Sequence, residues 1–190
     1  MKRNAYIAAA LLFAGFTACN NEPAFKVQGE VTDAADKMLY LEQTGLDGIV
    51  ALDSVELGSD GAFSFAAARP EAPDFYRLRI DNKVINFSVD STETVEVKAD
   101  YKNFATEYNI QGSENNQKIK ELVLLQTDLQ ERVNRMAQSG IPVGIAQDSL
   151  TRMVDAYKDE VKRNYIFVAP NKPYEYFALF PALHRYMIFD

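Results

Sequence analysis

The sequence predicts an α+β protein: an N-terminal antiparallel β-sandwich or open barrel of about eight strands, then an α-helical arm made of an αα-hairpin and a third helix. Three observations carry this. From Phe25 to Gln111, apolar and polar residues alternate in short runs, with turn residues recurring at the spacing of antiparallel strands. After Gly112-Ser113 the apolar spacing changes to three and four, the period of a helix. Pro170 and Pro173 then set off a last, strongly aromatic segment.

The strands follow in order. Phe25, Val27 and Val31 share a face if the chain bulges at Gly29, and Leu39 and Leu41 alternate with Tyr40 and Glu42. Ile49 to Leu57 forms a third strand, and Ser59-Asp60-Gly61 is a turn because glycine readily takes positive φ. Phe63 and Phe65 point one way with Ser64 the other. Phe75 to Ile80, Val84 to Val89 and Thr94 to Ala99 follow, joined at Asp81-Asn82 and Asp90-Ser91, and Glu107 to Gln111 closes the set. The strand aromatics occupy alternating positions, as core residues do. That pattern favours packing over a sugar-stacking platform, and the chain has no tryptophan.

Ser113 is an N-cap, with Glu114 in the first turn to favour the helix dipole. Ile119, Leu122, Leu129, Val133 and Met136 then mark one helical face. Gly140 to Gly144, with Pro142 inside it, breaks that helix. Asp148 or Ser149 caps the next, whose stripe is Leu150, Val154, Tyr157, Val161, Tyr165 and Val168. Pro170 stops it, and Pro173 starts a third helix over Tyr174 to Phe189. That helix is apolar almost all round and ends at Asp190 without a capping residue, so burial by a partner or by further chain is expected at 174–189.

The N-terminus carries an address. Lys2 and Arg3 precede an apolar run from Ala5 to Phe16, the layout of a secretory signal. As a helix that run would reach ~18 Å, short of the ~30 Å of bilayer hydrocarbon. The run ends Phe16-Thr17-Ala18-Cys19, and Cys19 is the chain's single cysteine. Small residues before a lone cysteine resemble the lipobox of bacterial lipoproteins, with Phe16 where those proteins usually have Leu. The resemblance implies a diacylglyceryl thioether on Cys19, cleavage before it, and a lipid-anchored protein of the cell envelope. Its partition would be 1–18 signal peptide, 19–24 lipidated tether, 25–112 β domain and 113–190 helical connector, truncated at its C-terminal end.

Composition narrows the chemistry. The chain has 20 basic and 27 acidic residues, and loss of 1–18 removes Lys2 and Arg3 and no acid, which takes the net charge from -7 to -9. A chain this acidic, with no basic run, has no general attraction for nucleic acid. With Cys19 lipidated no thiol is left for redox catalysis or metal binding. His184, the single histidine, lies among aromatic and aliphatic neighbours, where a general base would lack a partner. Asp33, Asp36, Asp47, Asp60, Asp155, Asp159 and Glu160 are scattered and match neither calcium-loop nor zinc spacing. The expectation is therefore no catalytic residue, no metal and no cofactor.

An ordered series of motifs adds a family. Phe25-Lys26-Val27-Gln28-Gly29-Glu30-Val31, Met38-Leu39-Tyr40-Leu41 and Leu52-Asp53-Ser54-Val55 open it. Asp60 to Phe65, Phe75-Tyr76-Arg77-Leu78 and Ile110-Gln111-Gly112-Ser113 complete it. Together they resemble a Gram-negative lipoprotein family known as domain of unknown function 4369. In that family the β domain usually precedes a helical connector and a thioredoxin-like domain. This chain has no Cys-x-x-Cys, so no redox residue maps onto it. The resemblance implies a non-catalytic, membrane-anchored module that positions a redox domain. The rival is a stand-alone envelope lipoprotein that captures a protein or glycan.

Overall fold

The computed structural model describes residues 24–45, 48–168 and 171–184, with side chains given to 179 in the last segment. The signal segment, Cys19, Asp47, Phe189 and the side chain of His184 lie outside the described residues. Eight strands come first: β1 (Ala24–Thr32), β2 (Met38–Gly45), β3 (Gly48–Glu56), β4 (Ala62–Ala68), β5 (Asp74–Ile80), β6 (Lys83–Val89), β7 (Thr94–Asp100) and β8 (Tyr108–Gln111). Three helices follow: α1 (Glu114–Gln138), α2 (Val143–Val161), continued by a π-turn over Lys162–Ile166, and α3 (Pro173–His184). The α+β architecture predicted from periodicity is the one observed.

The strands form two four-stranded sheets, β4-β1-β7-β8 and β3-β2-β5-β6. They enclose one core, because alternation sends one side of every strand but the exposed β3 largely inward. Phe25, Val27 and Val31 on β1 meet Leu39 and Leu41 on β2, with Phe65, Leu78, Phe87, Val97 and Ile110 filling the space between. Phe25 and Phe87 both pack against Tyr76, with ring centroids 4.8 and 5.9 Å away. Burying each such side chain is worth roughly 1.5–3 kcal/mol, so this cluster dominates the stability of the β unit.

Two expectations about the strands need correction. The sheets are not wholly antiparallel, since β1 runs parallel to β7 from Lys26–Thr94 to Thr32–Asp100. There is also no bulge at Gly29: Phe25, Val27, Gly29 and Val31 fall on one face by plain alternation, and the register runs through Gly29 without a shift. Glycine is required there for another reason. Its φ is +155°, and a Cβ would stand 1.7 Å from the Val97 carbonyl oxygen, so the parallel neighbour comes too close for any side chain. The register shift lies elsewhere, between Leu41 and Glu42 where β2 pairs with β3.

The helical arm also departs from expectation in its phasing. The Ser113 hydroxyl accepts from the Asn116 amide at 3.3 Å, as an N-cap should. However, α2 begins at Val143, five residues ahead of the expected Asp148 cap. Pro142 carries φ -53°, and its carbonyl accepts from the Ala146 amide at 3.0 Å, so the proline itself starts the helix. The π-turn inserts extra rotation at the end of α2. Tyr165 and Ile166 are thereby buried, and Val168, expected on the stripe, is 61% exposed. On α1, Val133 and Met136 are only half-buried, because the outer part of the hairpin extends past the sheets.

A second core joins the arm to itself and to the β unit. Ile119 and Leu122 of α1 pack with Val161, Tyr165, Ile166, Tyr174 and Ala178. Phe177 of α3 reaches Phe75 on β5 at 5.6 Å between ring centroids. The described half of the aromatic helix is thus covered within the chain. Tyr176, 52% exposed, is its outward face.

The junction between the two cores rests on Asn116, which is fully buried and whose Oδ1 accepts from the Ser88 amide at 2.8 Å. Asn116→Ala leaves that buried N–H without a partner, so unfolding in urea should show a loss of about 1–3 kcal/mol. An unchanged midpoint would mean that water replaces the side chain and that the junction is not a packing constraint.

Candidate functional site

The acidic residues singled out from the sequence do not converge. Asp33 and Asp36 hold left-handed turn positions with φ of 55° and 61°. Asp60 Oδ1 accepts from the Ala62 amide at 3.2 Å inside the turn after β3. Asp155, Asp159 and Glu160 are exposed on α2, and His184 closes α3 on a different element. Among the described residues no group of three His, Cys, Asp or Glu side chains is placed to hold a metal. No helix of the described residues is long and apolar enough to cross a membrane.

The geometry draws attention instead to the two seams of the sandwich. Each sheet has two edge strands, so β6 lies across from β8 and β3 across from β4. An edge exposes backbone N–H and C=O groups that otherwise invite pairing with another chain. At the first seam α1 takes up these groups with side chains. Asn116 Oδ1 accepts from the Ser88 amide of β6, Gln117 Nε2 donates to the Ile110 carbonyl of β8, and Lys120 Nζ donates to the Tyr108 carbonyl. The Lys120 ammonium also lies 4.9 Å from the centroid of the Tyr108 ring. Three positions on one side of one helix therefore serve both edges at once.

The second seam has no such cover among the described residues. β3 is exposed along almost its whole length, including Ile49, Val50 and Leu52 at 50, 59 and 40%. Beside it lies an open cleft of about 490 Å³, lined by Leu52 of β3, Ala67 of β4, Tyr76 of β5 and the 69–73 connection between β4 and β5. Gln43 Nε2 donates to Asp74 Oδ2 at 2.5 Å on its wall. Burial, with the Asp74 charge adding to it, pushes the Tyr76 hydroxyl up to about 12, so it stays a neutral donor.

One buried carboxylate stands on the outer face of the second sheet. Glu42 is 4% exposed, and its two oxygens accept from Arg77 Nε at 2.6 Å and Arg79 Nε at 2.8 Å. Burial alone would raise this carboxyl, but the hydrogen bonds and charges of Arg79 and Arg77 outweigh it and hold the group below its ordinary value. Arg79 lies over the Tyr40 ring at 4.1 Å. With both oxygens engaged and the group held ionised, Glu42 is a brace across β2 and β5 and not a proton donor.

Sequence reasoning missed Glu42, Asn116 and the open seam. Glu42 had a readable signal, an acid on the same face as two arginines spaced by two. Asn116 had none, since a polar residue in a first helical turn reads as solvated.

This arrangement defines a class: a β-sandwich module closed on one seam by its own helical arm and open on the other. The chain belongs to the family described as Domain of unknown function (DUF4369), whose model matches residues 25–119, half of the chain. The matched span runs past the last strand into α1 and takes in Asn116, Gln117 and Ile119. Against curated proteins the sequence finds no match. Among solved structures it is similar to the crystal structure of (S)-allantoin synthase at 9% identity and a TM-score of 0.36, over 49% of this chain and 45% of that one. The alignment thus spans less than half of that enzyme, and a likeness at this level carries no argument about function.

Two carboxylates far apart in the fold give its stability a pH dependence of opposite signs. Glu93, in the turn before β7, is raised to about 7 by burial first and then by the Asp90 charge. Its folded form holds a proton more firmly than the unfolded chain does. Its contribution is therefore complete below 4.5 and lost as pH rises through about 7. Glu42, held low, contributes above its ordinary value of 4.5 and fails on acidification. Glu93→Gln should flatten the decline of urea stability between pH 4.5 and about 7 and leave the acid limb in place. An identical decline in the variant would assign it to another group.

Proposed function

We propose that this chain is a non-catalytic, lipid-anchored module of the cell envelope. Cys19 carries the lipid, and the β unit with its arm positions a thioredoxin-like domain or a protein partner that meets the segment 174–189. The observation that carries the reading is Cys19 itself, a lone thiol directly behind a signal-like apolar run. The placement of the fold supports it. β1 begins at Ala24, so four residues separate Cys19 from the first strand and span at most ~14 Å. A domain held that close to a bilayer has little freedom to reorient. The arm adds direction, since Tyr165 OH donates to Glu121 Oε2 at 3.3 Å and the Phe177–Phe75 contact fixes α3 over the sheet. A second reading, a module that itself captures a ligand, is favoured by the uncovered seam between β3 and β4.

The anchor is tested in cells fed radiolabelled palmitate. Wild-type protein should take up label and fractionate with membranes, whereas Cys19→Ala should remain an uncut, unlabelled precursor. Equal label on the variant would remove the anchoring proposal. The non-catalytic half is tested separately: the purified protein should not accelerate insulin disulfide reduction by dithiothreitol above the dithiothreitol-only rate.

A further inference from the structure

From the geometry of the open seam we infer that β3 accepts an extended, cationic peptide segment as an added strand, with the β3–β4 cleft taking its alternate side chains. The inference does not depend on the anchor. It begins with the backbone. The β2–β3 hairpin closes on the pair Gly45–Gly48, and Thr44–Ile49, Gln43–Val50 and Glu42–Ala51 follow. In an antiparallel ladder the hydrogen-bonded and non-bonded pairs alternate, so Ile49 and Ala51 turn their N–H and C=O groups away from β2. Those groups face the seam, where β3 has no neighbour in its sheet other than β2 among the described residues.

The other seam shows what the fold does with an edge it intends to close, since α1 supplies side-chain partners there. At β3 the usual protections are weak over the first four residues. Gly48 to Ala51 contains no charge and no proline, and the register shift falls at Leu52, which has no partner on β2. An added strand could therefore pair along Gly48–Ala51 before the irregularity, with alternate side chains toward the cleft lined by Leu52, Ala67 and Tyr76.

Charge selects the occupant. Asp53 and Glu56 continue the exposed edge, and Glu71 and Asp74 stand across the cleft, with Arg69 as the base lining it. An acidic rim favours a strand whose other face carries lysine or arginine. A second copy of this chain fits less well. It would bring the same acidic rim against itself, and pairing two β3 strands about Ala51 or Leu52 would run across the register shift.

The probe is a fluorescein-labelled Lys-Val-Lys-Val-Lys-Val peptide titrated against the full chain in dodecyl maltoside, read by anisotropy. Three comparisons accompany it: Glu-Val-Glu-Val-Glu-Val, the lysine peptide N-methylated at alternate amides, and the Ala51→Pro variant. Proline at 51 removes an outward N–H and leaves the pairs to β2 intact. The expected result is saturable binding of the lysine peptide and none of the glutamate peptide. N-methylation and Ala51→Pro should each weaken binding about tenfold or more. Because the N-methylated peptide is tested on the unaltered protein, the inference stays open to refutation even if the proline variant folds poorly. Failure of the lysine peptide to bind overturns it, and so does binding indifferent to N-methylation, which would be charge attraction without strand pairing. Sedimentation showing a dimer that Ala51→Pro separates would assign the edge to self-association and overturn it equally.

Discussion

The contact on which the rest of this structure depends is the hydrogen bond from the Ser88 amide to Asn116 Oδ1, made where neither group can reach water. It closes the exposed edge of β6, fixes the start of α1 against the sheet, and sets the direction in which the hairpin leaves the β unit. Ser113, three positions before Asn116, supplies the cap that lets α1 begin there. Gln117 and Lys120, one and four positions on, then reach the carbonyls of β8. A helix in place of a strand joins the two sheets on this side because its side chains can address two edges that no single strand could pair with. Buried polar contacts of this kind contribute little net stability when made and cost much when broken, so they fix one arrangement against its alternatives.

The asymmetry between the seams follows from that arrangement. Closing β6 and β8 with α1 leaves β3 and β4 as the pair whose backbone groups meet solvent among the described residues. The Glu42 brace belongs to the same logic. It ties β2 to β5 on the outer face, next to the edge that carries no helix, and so stiffens the strand against which β3 is held. Stiffness behind an open edge lowers the ordering cost for anything that pairs with it.

Much of this was legible in the sequence, and what was not has a physical reason. Alternation placed Phe25, Val27, Leu39, Leu41, Phe63 and Phe65 on the inward face, because a half-buried strand has a period that single residues reveal. The parallel pairing of β1 with β7 was hidden, since strands so far apart in sequence share no turn that signals their direction. Gly29 looked like a bulge, whereas its need is the carbonyl of Val97 beside it, a contact that no local pattern encodes. In the arm, the stripe of α2 was found and its start was missed, because Pro142 begins the helix without a side-chain cap and the π-turn later changes its phase. For the seams the sequence was nearly silent. Asn116 looks like any polar residue in a first turn, and the openness of β3 depends on which strands lie beside it.

Amide hydrogen exchange on the native protein tests this account most directly, because it reads both seams in one experiment. Burial with a hydrogen-bond partner should make the Ser88 amide exchange only through large-scale unfolding, while the Ile49 and Ala51 amides exchange near the rate of an unstructured chain. Protection at Ile49 and Ala51 comparable to that at Ser88 would contradict it, since the second seam would then be closed as firmly as the first.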